Sequence, residues 1–451
     1  MRKIRSIFRE IAVAEAAALI MALMCPVGAY AEPLLEYDIQ YGDITITAQD
    51  NGKHKVEYSD NTGPNPKTAT VTGIPVIKGT SSIHTVLLKT EGDNVAHVIF
   101  KGLNIDVQNQ NQVKAAVSAD CAAVIELQGE NRLKSGLGNA GIVHTGNDGS
   151  KLTIKDYSEE PDVGELTVTG GSYIKNEVDN LDFTEGGGAG IGGGFRQKGS
   201  HIEIVGVEIK AEGGGVSINR GIGHDSWHGG GAGIGGGYEG EGSDITIKGG
   251  ECKVKAIGGD DGYSRQVGGA GIGGGTSVSG SNIKIKDRAK VSANGAPGGA
   301  GIGGGCAGEG KDIAIEGGSD VTAIGGSGGA GIGAGAGARN GSNTEFITIT
   351  NSTVSACGGN GGAGIGAGAG AGNYSNTEFI TITNSTVSAC GGEDGAGIGG
   401  GSNPGKSYCD TQYITINSGK IYARGGNRGA GIGSGFSGRC EKIWVCGITC
   451  G

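Results

Sequence analysis

Ser342-Asn-Thr-Glu-Phe-Ile-Thr-Ile-Thr-Asn-Ser-Thr-Val-Ser-Ala-Cys-Gly-Gly359 returns letter for letter as Ser375 to Gly392, one full period later. Within each copy the apolar residues alternate: Ile347 and Ile349 with Thr348 and Thr350 between them, then Val354 and Ala356 flanking Ser355. A period of two is the mark of a strand with one buried face, not of a helix. Each copy is followed by Gly-Ala-Gly-Ile-Gly, which also recurs outside the duplication, its Ile at 191, 234, 272, 302, 332, 365, 398 and 432. The steps along this series are 43, 38, 30, 30, 33, 33 and 34. Repeats of this length build solenoids, propellers or arrays.

Three short strands per step are fewer than a four-stranded propeller blade needs, and they suit one coil of a three-sided solenoid. The spacing predicts an all-β fold, a right-handed parallel β-helix in which Ile347, Ile349, Val354, Ala356, Ala363 and Ile365 point inward. Apolar ladders then replace a conventional core. Glycine supplies 99 of 451 residues and proline 8, without a Gly-X-Y period. That excludes collagen. Helical repeats are excluded because glycine costs about 1 kcal/mol per residue in a helix. The glycines around Ala-Gly-Ile-Gly have two readings: tight corners needing positive φ, or a bare outward strip on which a flat ligand could lie.

Met1 to Ala31 has a basic start, an apolar stretch and Ala29-Tyr30-Ala31 before Glu32. This is the layout of a secretory signal peptide, with a retained membrane anchor as the alternative. Its removal takes four basic residues (Arg2, Lys3, Arg5, Arg9) and two acidic ones (Glu10, Glu15), so the formal charge moves from −10 to −12. Such a surface disfavours nucleic acid and anionic lipid. It accepts neutral glycans, and acidic ones only through local Lys/Arg clusters or bridging cations. The expected location is extracellular or the cell surface. We divide the chain into signal peptide 1–31, an N-terminal cap with irregular coils at 32–185, and the regular repeats at 186–451.

Nine of the ten cysteines remain after cleavage. They lie in a compartment where disulfides can form. Cys357 and Cys390 lie one repeat apart, so stacking brings their Cα atoms to about 4.8 Å, either as a disulfide or as a buried thiol ladder. The final strands, Ile443 to Val445 and Ile448 to Cys450, offer an edge able to pair with another chain, so that either Cys440 to Cys450 cap it, the protein assembles end to end, or the gene is a fragment.

The run Val124-Ile-Glu-Leu-Gln-Gly-Glu-Asn-Arg-Leu133, then Gly138-Asn-Ala-Gly-Ile142, Leu152-Thr-Ile154 and the recurring Gly-Ala-Gly-Ile-Gly-Gly-Gly, resembles the clostridial carbohydrate-binding β-helix family, over roughly Val86 to Gly451. The resemblance implies a pectate-lyase-like architecture and binding of plant cell-wall polysaccharide, with Ca²⁺ in some members. No calcium ligand of the family maps onto a matching position.

Two insertions stand out. Asn219 to His228 carries His224, Asp225, Trp227 and His228, and Asp260 to Gln266 carries Asp260, Asp261, Tyr263 and Arg265. An exposed Trp is a platform for a sugar face, so His224, Asp225, Trp227, His228, Tyr263 and Arg265 are the candidate carbohydrate contacts. Asp260 and Asp261 are the candidate ligands for a Ca²⁺ ion. Catalysis is disfavoured: His224 precedes the Asp pair, and no Asn-Thr-Asp or Arg-Ile-Lys motif accompanies it. The leading expectation is a secreted, non-catalytic polysaccharide binder. A structural stalk or adhesin is the alternative, and a lyase or hydrolase comes third.

Overall fold

The computed structural model describes residues 35–108, 113–158, 162–175, 186–218, 229–260, 267–337, 343–370, 375–403 and 410–449. The chain divides into Met1–Leu35 and Glu36–Gly451. The second unit is a solenoid whose coils each contribute a strand to three parallel ladders. In the duplicated coil these are Thr344–Thr350 on face 1, Thr353–Cys357 on face 2 and Ile365–Gly366 on face 3.

The register is strict. On face 1 Ile125, Ile154, Ile204, Ile247, Ile285, Ile315, Ile349, Ile382 and Ile416 are successive partners. On face 2 Val321, Val354 and Val387 align above Val291 and Val254. On face 3 Ile332, Ile365 and Ile398 stack directly. These isoleucines and valines are buried at 4% exposure or less. Each apolar side chain therefore meets its counterpart one strand spacing, about 4.8 Å, away. The outward Thr348 and Thr350 alternate with them as the period-two pattern requires.

Face 3 begins well before the recognisable repeats. Ile142 pairs with Ile191 on one side and Val117 on the other, Val117 with Val86, and Val86 with Ile44. Below Ile44 the ladder is closed by two antiparallel strands, Lys53–Tyr58 and Lys67–Val71, which cover its first edge. Ala96–Asp106 is one long strand. Gly102, with positive φ, turns the chain from face 1 to face 2 there without breaking its pairing. That strand and Val76–Ser81 run through both faces and join them into one 23-stranded sheet.

The repeated glycines are explained by contact, and the bare outward strip is not there. The Gly after each face 3 Ile has φ near +130°, and it is buried. A Cβ on Gly303 would lie 2.0 Å from the carbonyl oxygen of Gly333, and one on Gly333 2.1 Å from that of Gly366. Backbone packs on backbone between coils, and only glycine fits. In the duplicated coils Thr344 Oγ1 strengthens the same corner by donating to the Gly366 carbonyl (2.8 Å) and accepting from Ala334 N–H (3.0 Å).

Cys357 and Cys390 are register partners on face 2 and are joined by a disulfide, with Cα atoms 4.7 Å apart. Cys121, Cys252 and Cys306 are buried thiols, that of Cys306 donating to the Ala336 carbonyl. Burial drives the Cys121 thiol up to about 12. It is therefore inert as a nucleophile at neutral pH.

Candidate functional site

The candidate site is built from an irregularity in face 1. In Thr344–Thr350 the order of burial is in, out, out, in, out, in, out: Glu345 and Phe346 both face solvent before Ile347 turns inward. Two consecutive outward residues break strand alternation unless one of them leaves the β region. Phe346 does so, with φ +56°, as do Phe379 (+58°) and Tyr413 (+56°) in the next coils. The same position holds His201, Asp244, Asn282 and Asp312 in the preceding coils and Lys442 in the following one, again with positive φ. Asp and Asn tolerate that conformation, whereas a bulky aromatic in it is an outlier.

The rings stack one coil above another. Phe346 and Phe379 have centroids 4.9 Å apart at 4° and Phe379 and Tyr413 4.7 Å apart at 6°, while Trp444, the register partner of Thr415 in the neighbouring row, lies 6.4 Å from Tyr413, tilted by 32°. Phe346, Phe379 and Trp444 remain 49%, 38% and 51% exposed. At this separation near-parallel rings give their faces to each other and their edges to water. Lys442 extends the row, its ammonium 4.5 Å from the Tyr413 centroid and donating to the Tyr413 hydroxyl at 2.7 Å. That hydrogen bond holds the lysine pKa above its ordinary value, and the ring face attracts the same charge.

Backbone strain and ring stacking oppose each other in this column. Each aromatic in left-handed backbone costs about 1–2 kcal/mol, roughly 3–6 kcal/mol for three. Each stacked pair returns about 0.5–1.5 kcal/mol, roughly 1–3 kcal/mol for two. Asn or Asp would remove most of the strain, as at Asn282, whose amide donates to the Asp244 carboxylate one coil away.

Beside the rings runs a row of hydroxyls, Thr348, Thr381 and Thr415, in direct register. Between Asn282 and Phe346 a shallow depression lined by Lys284, Asp312, Ala314 and Thr348 carries the same face down toward earlier coils.

Of the residues singled out from sequence, His224, Asp225, Trp227 and His228, and likewise Asp261, Tyr263 and Arg265, lie outside the described residues. Asp260 is described and exposed at the corner between faces 2 and 3, where its carbonyl accepts from Val216 N–H at 3.0 Å. Among the described residues no group of three or more His, Cys, Asp or Glu is arranged to hold a metal ion, and no helix is long and apolar enough to cross a membrane.

A family model described as a β-helix repeat matches residues 245–276, 283–306, 380–402 and 414–436. The chain is a parallel β-helix. Each matched stretch begins on face 1 of the solenoid, and the last two contain Ile398 and Ile432 of face 3. Neither a curated protein nor a solved structure matches the chain. β-Helix repeats of this kind suit a surface or polysaccharide-binding protein, and the fold by itself hosts both enzymes and non-enzymes.

The aromatic column escapes a reading of the sequence because each phenylalanine passes for one more residue in an alternating strand. The available signal is the pair Phe346-Ile347, two large apolar residues in succession, repeated at Phe379-Ile380 and Tyr413-Ile414.

Proposed function

We propose that this β-helix is an exported, non-catalytic binder of extended polysaccharide, and that the aromatic column of face 1 is its contact surface. The observation that carries the reading is the replacement of Asp and Asn by Phe, Phe and Tyr at strained, solvent-facing positions of successive coils. Strained outliers of this kind concentrate where function maintains them. A stalk needs only length and gains nothing from exposed rings in unfavourable backbone.

A linear polymer suits the geometry. The groups on offer repeat in straight lines along the coil axis, ring edges in one and threonine hydroxyls in the next, so a chain of sugars meets apolar and hydrogen-bonding contacts at a regular interval. Phe, Thr and Trp side chains supply contact and orientation, and the two proton-bearing groups of the column, Tyr413 and Lys442, are hydrogen-bonded to each other.

The test is the double variant Phe346→Asn with Phe379→Asn, which installs the residue type that the preceding coils use at this backbone conformation. Affinity electrophoresis and pull-down against a panel of soluble and insoluble plant polysaccharides should show retention falling at least tenfold, while the melting temperature holds or rises. Undiminished retention, or a melting temperature several degrees lower, would show that the rings serve the fold and not a ligand.

A further inference from the structure

We infer that the corner between faces 1 and 2, at the coils spanning 242–257 and 280–294, is a second binding site, for a linear phosphate-bearing polymer. The charge pattern there is costly in the protein alone. Lys210 is the register partner of Lys255, Lys253 of Lys290, and Lys248 of Lys286. Partners on neighbouring strands are about 4.8 Å apart, and like charges placed directly opposite one another destabilise a sheet. Three such pairs occur side by side in a chain with 46 acidic and 36 basic residues, where carboxylates are plentiful enough to alternate with lysines.

One lysine in two of these rungs is offset by a carboxylate: Glu203 bridges Lys151 and Lys248, and Glu208 takes Lys253, just as Lys311 is held by Glu309 further along. The remaining cations of the corner are not. Lys210, Lys255, Lys284, Lys286, Arg288 and Lys290 have no ion-pair partner among the described residues, and all but the half-buried Lys286 are exposed. The acids of face 2 are gathered in the coils below, where Glu130, Glu165 and Glu208 are successive partners. A shallow trough follows the lysines along face 2, floored by Thr167 and Ser292 between Lys210, Lys253, Lys255 and Lys290, with Glu208 paired to Lys253 within it and Glu165 and Asp320 toward its ends.

A polyanion lying over this corner gives a counter-charge to both lysines of the Lys210–Lys255 rung and to Lys286 and Lys290, which no carboxylate holds. The donors are ammonium point charges with a single guanidinium among them. They lack the paired fork that recognises a planar carboxylate and read charge density instead. A polymer carrying a full charge on the tetrahedral phosphate of every repeat fits that better than a uronate chain. The site is centred on face 2, and although Lys284 lines the same face 1 depression as Phe346, it stands whether or not the aromatic column binds sugar. Together they would let one molecule hold a neutral polymer and an anionic one at once.

The experiment is a titration of the full chain with long-chain inorganic polyphosphate and with poly(glycerol phosphate), across a salt series. Polygalacturonate and phosphatidylglycerol vesicles serve as the competing ligand classes. Six released counterions at about −0.7 each predict that affinity falls roughly 300-fold between about 50 and 200 mM salt. For the triple variant Lys255→Gln, Lys284→Gln, Lys290→Gln the fall shrinks to roughly 20-fold, with affinity at low salt reduced at least tenfold and the circular dichroism spectrum unchanged. The inference is overturned if neither phosphate polymer binds, if the variant titrates like the parent, or if polygalacturonate or the vesicles bind more tightly than both phosphate polymers.

Discussion

Ile365→Ala probes the stacking that every other statement rests on. Ile365 is fully buried on face 3 between Ile332 and Ile398. The substitution removes three carbons, worth about 0.8 kcal/mol each in transfer, or roughly 2.4 kcal/mol. The cavity left between two rigid coils cannot collapse without breaking register on all three faces, so the total should approach about 4 kcal/mol, toward the upper end of measured Ile→Ala costs. In a solenoid each coil contacts only its neighbours, and the loss is therefore local. Native-state hydrogen exchange is the suitable assay because it resolves individual coils where a single melting temperature does not. Amides of Ile332–Gly333, Ile365–Gly366 and Ile398–Gly399 should exchange several hundred times faster, while those near Ile191 keep their protection. Uniform acceleration along the whole chain would mean that the coils do not behave as stacked units. Unchanged exchange at Ile332 and Ile398 would mean that they do not touch Ile365.

Three further outcomes follow from local geometry. Gly303→Ala should abolish soluble expression or lower the melting temperature by many degrees, since its Cβ would lie 2.0 Å from the Gly333 carbonyl oxygen, whereas Gly73→Ala, with nothing within 4 Å, should be neutral in the same thermal scan. Replacing both Cys357 and Cys390 by Ser should cost about 3–4 kcal/mol by the loop-closure estimate, read as a lower urea midpoint that reductant no longer shifts. His144 is buried, and burial holds its pKa below the ordinary histidine value although both ring nitrogens face carbonyl oxygens, of Ala119 and Ser150. Because the unfolded chain takes up that proton first, this contribution to stability is complete above about pH 6.5 and is lost as pH falls from there through the folded value. Urea midpoints should decline between about pH 7 and 5.5, and less so in His144→Gln; parallel pH profiles for the two proteins would exclude the histidine.

The repeated half of the fold is legible because its inner positions are chemically uniform. Ile347, Ile349, Val354, Ala356 and Ile365 can be assigned to the interior from alternation and period alone, and all of them are buried. The earlier coils are harder to align: Val86 and Val117 occupy the column of Ile365 without any Gly-Ala-Gly-Ile-Gly around them, and only the pairing reveals it. The meaning of the glycines cannot be decided from sequence, because it depends on the carbonyl of the next coil and not on the local chain. The aromatic column and the lysine rungs are hidden for a related reason. Phe346 and Phe379 lie a full period apart, and Lys210 and Lys255 further still, so neither grouping exists until register is known. The left-handed residue on face 1 compounds this by shifting the phase of alternation within a single strand.

The steps between face 3 isoleucines differ in length, the one from Ile191 to Ile234 being far longer than the one from Ile302 to Ile332, yet the pairing on all three faces stays in register throughout. The additional residues fall in the sequence between strands, as between Lys253–Ile257 and Ile272–Gly273 before face 3 and between Ile332–Gly333 and Thr344–Thr350 before face 1. Length can thus vary at a corner while the isoleucine columns stay as they are. The framework is modular in an engineering sense: an unrelated peptide could be spliced into any of these junctions, one storey at a time, and neighbouring storeys would bring their inserts out side by side.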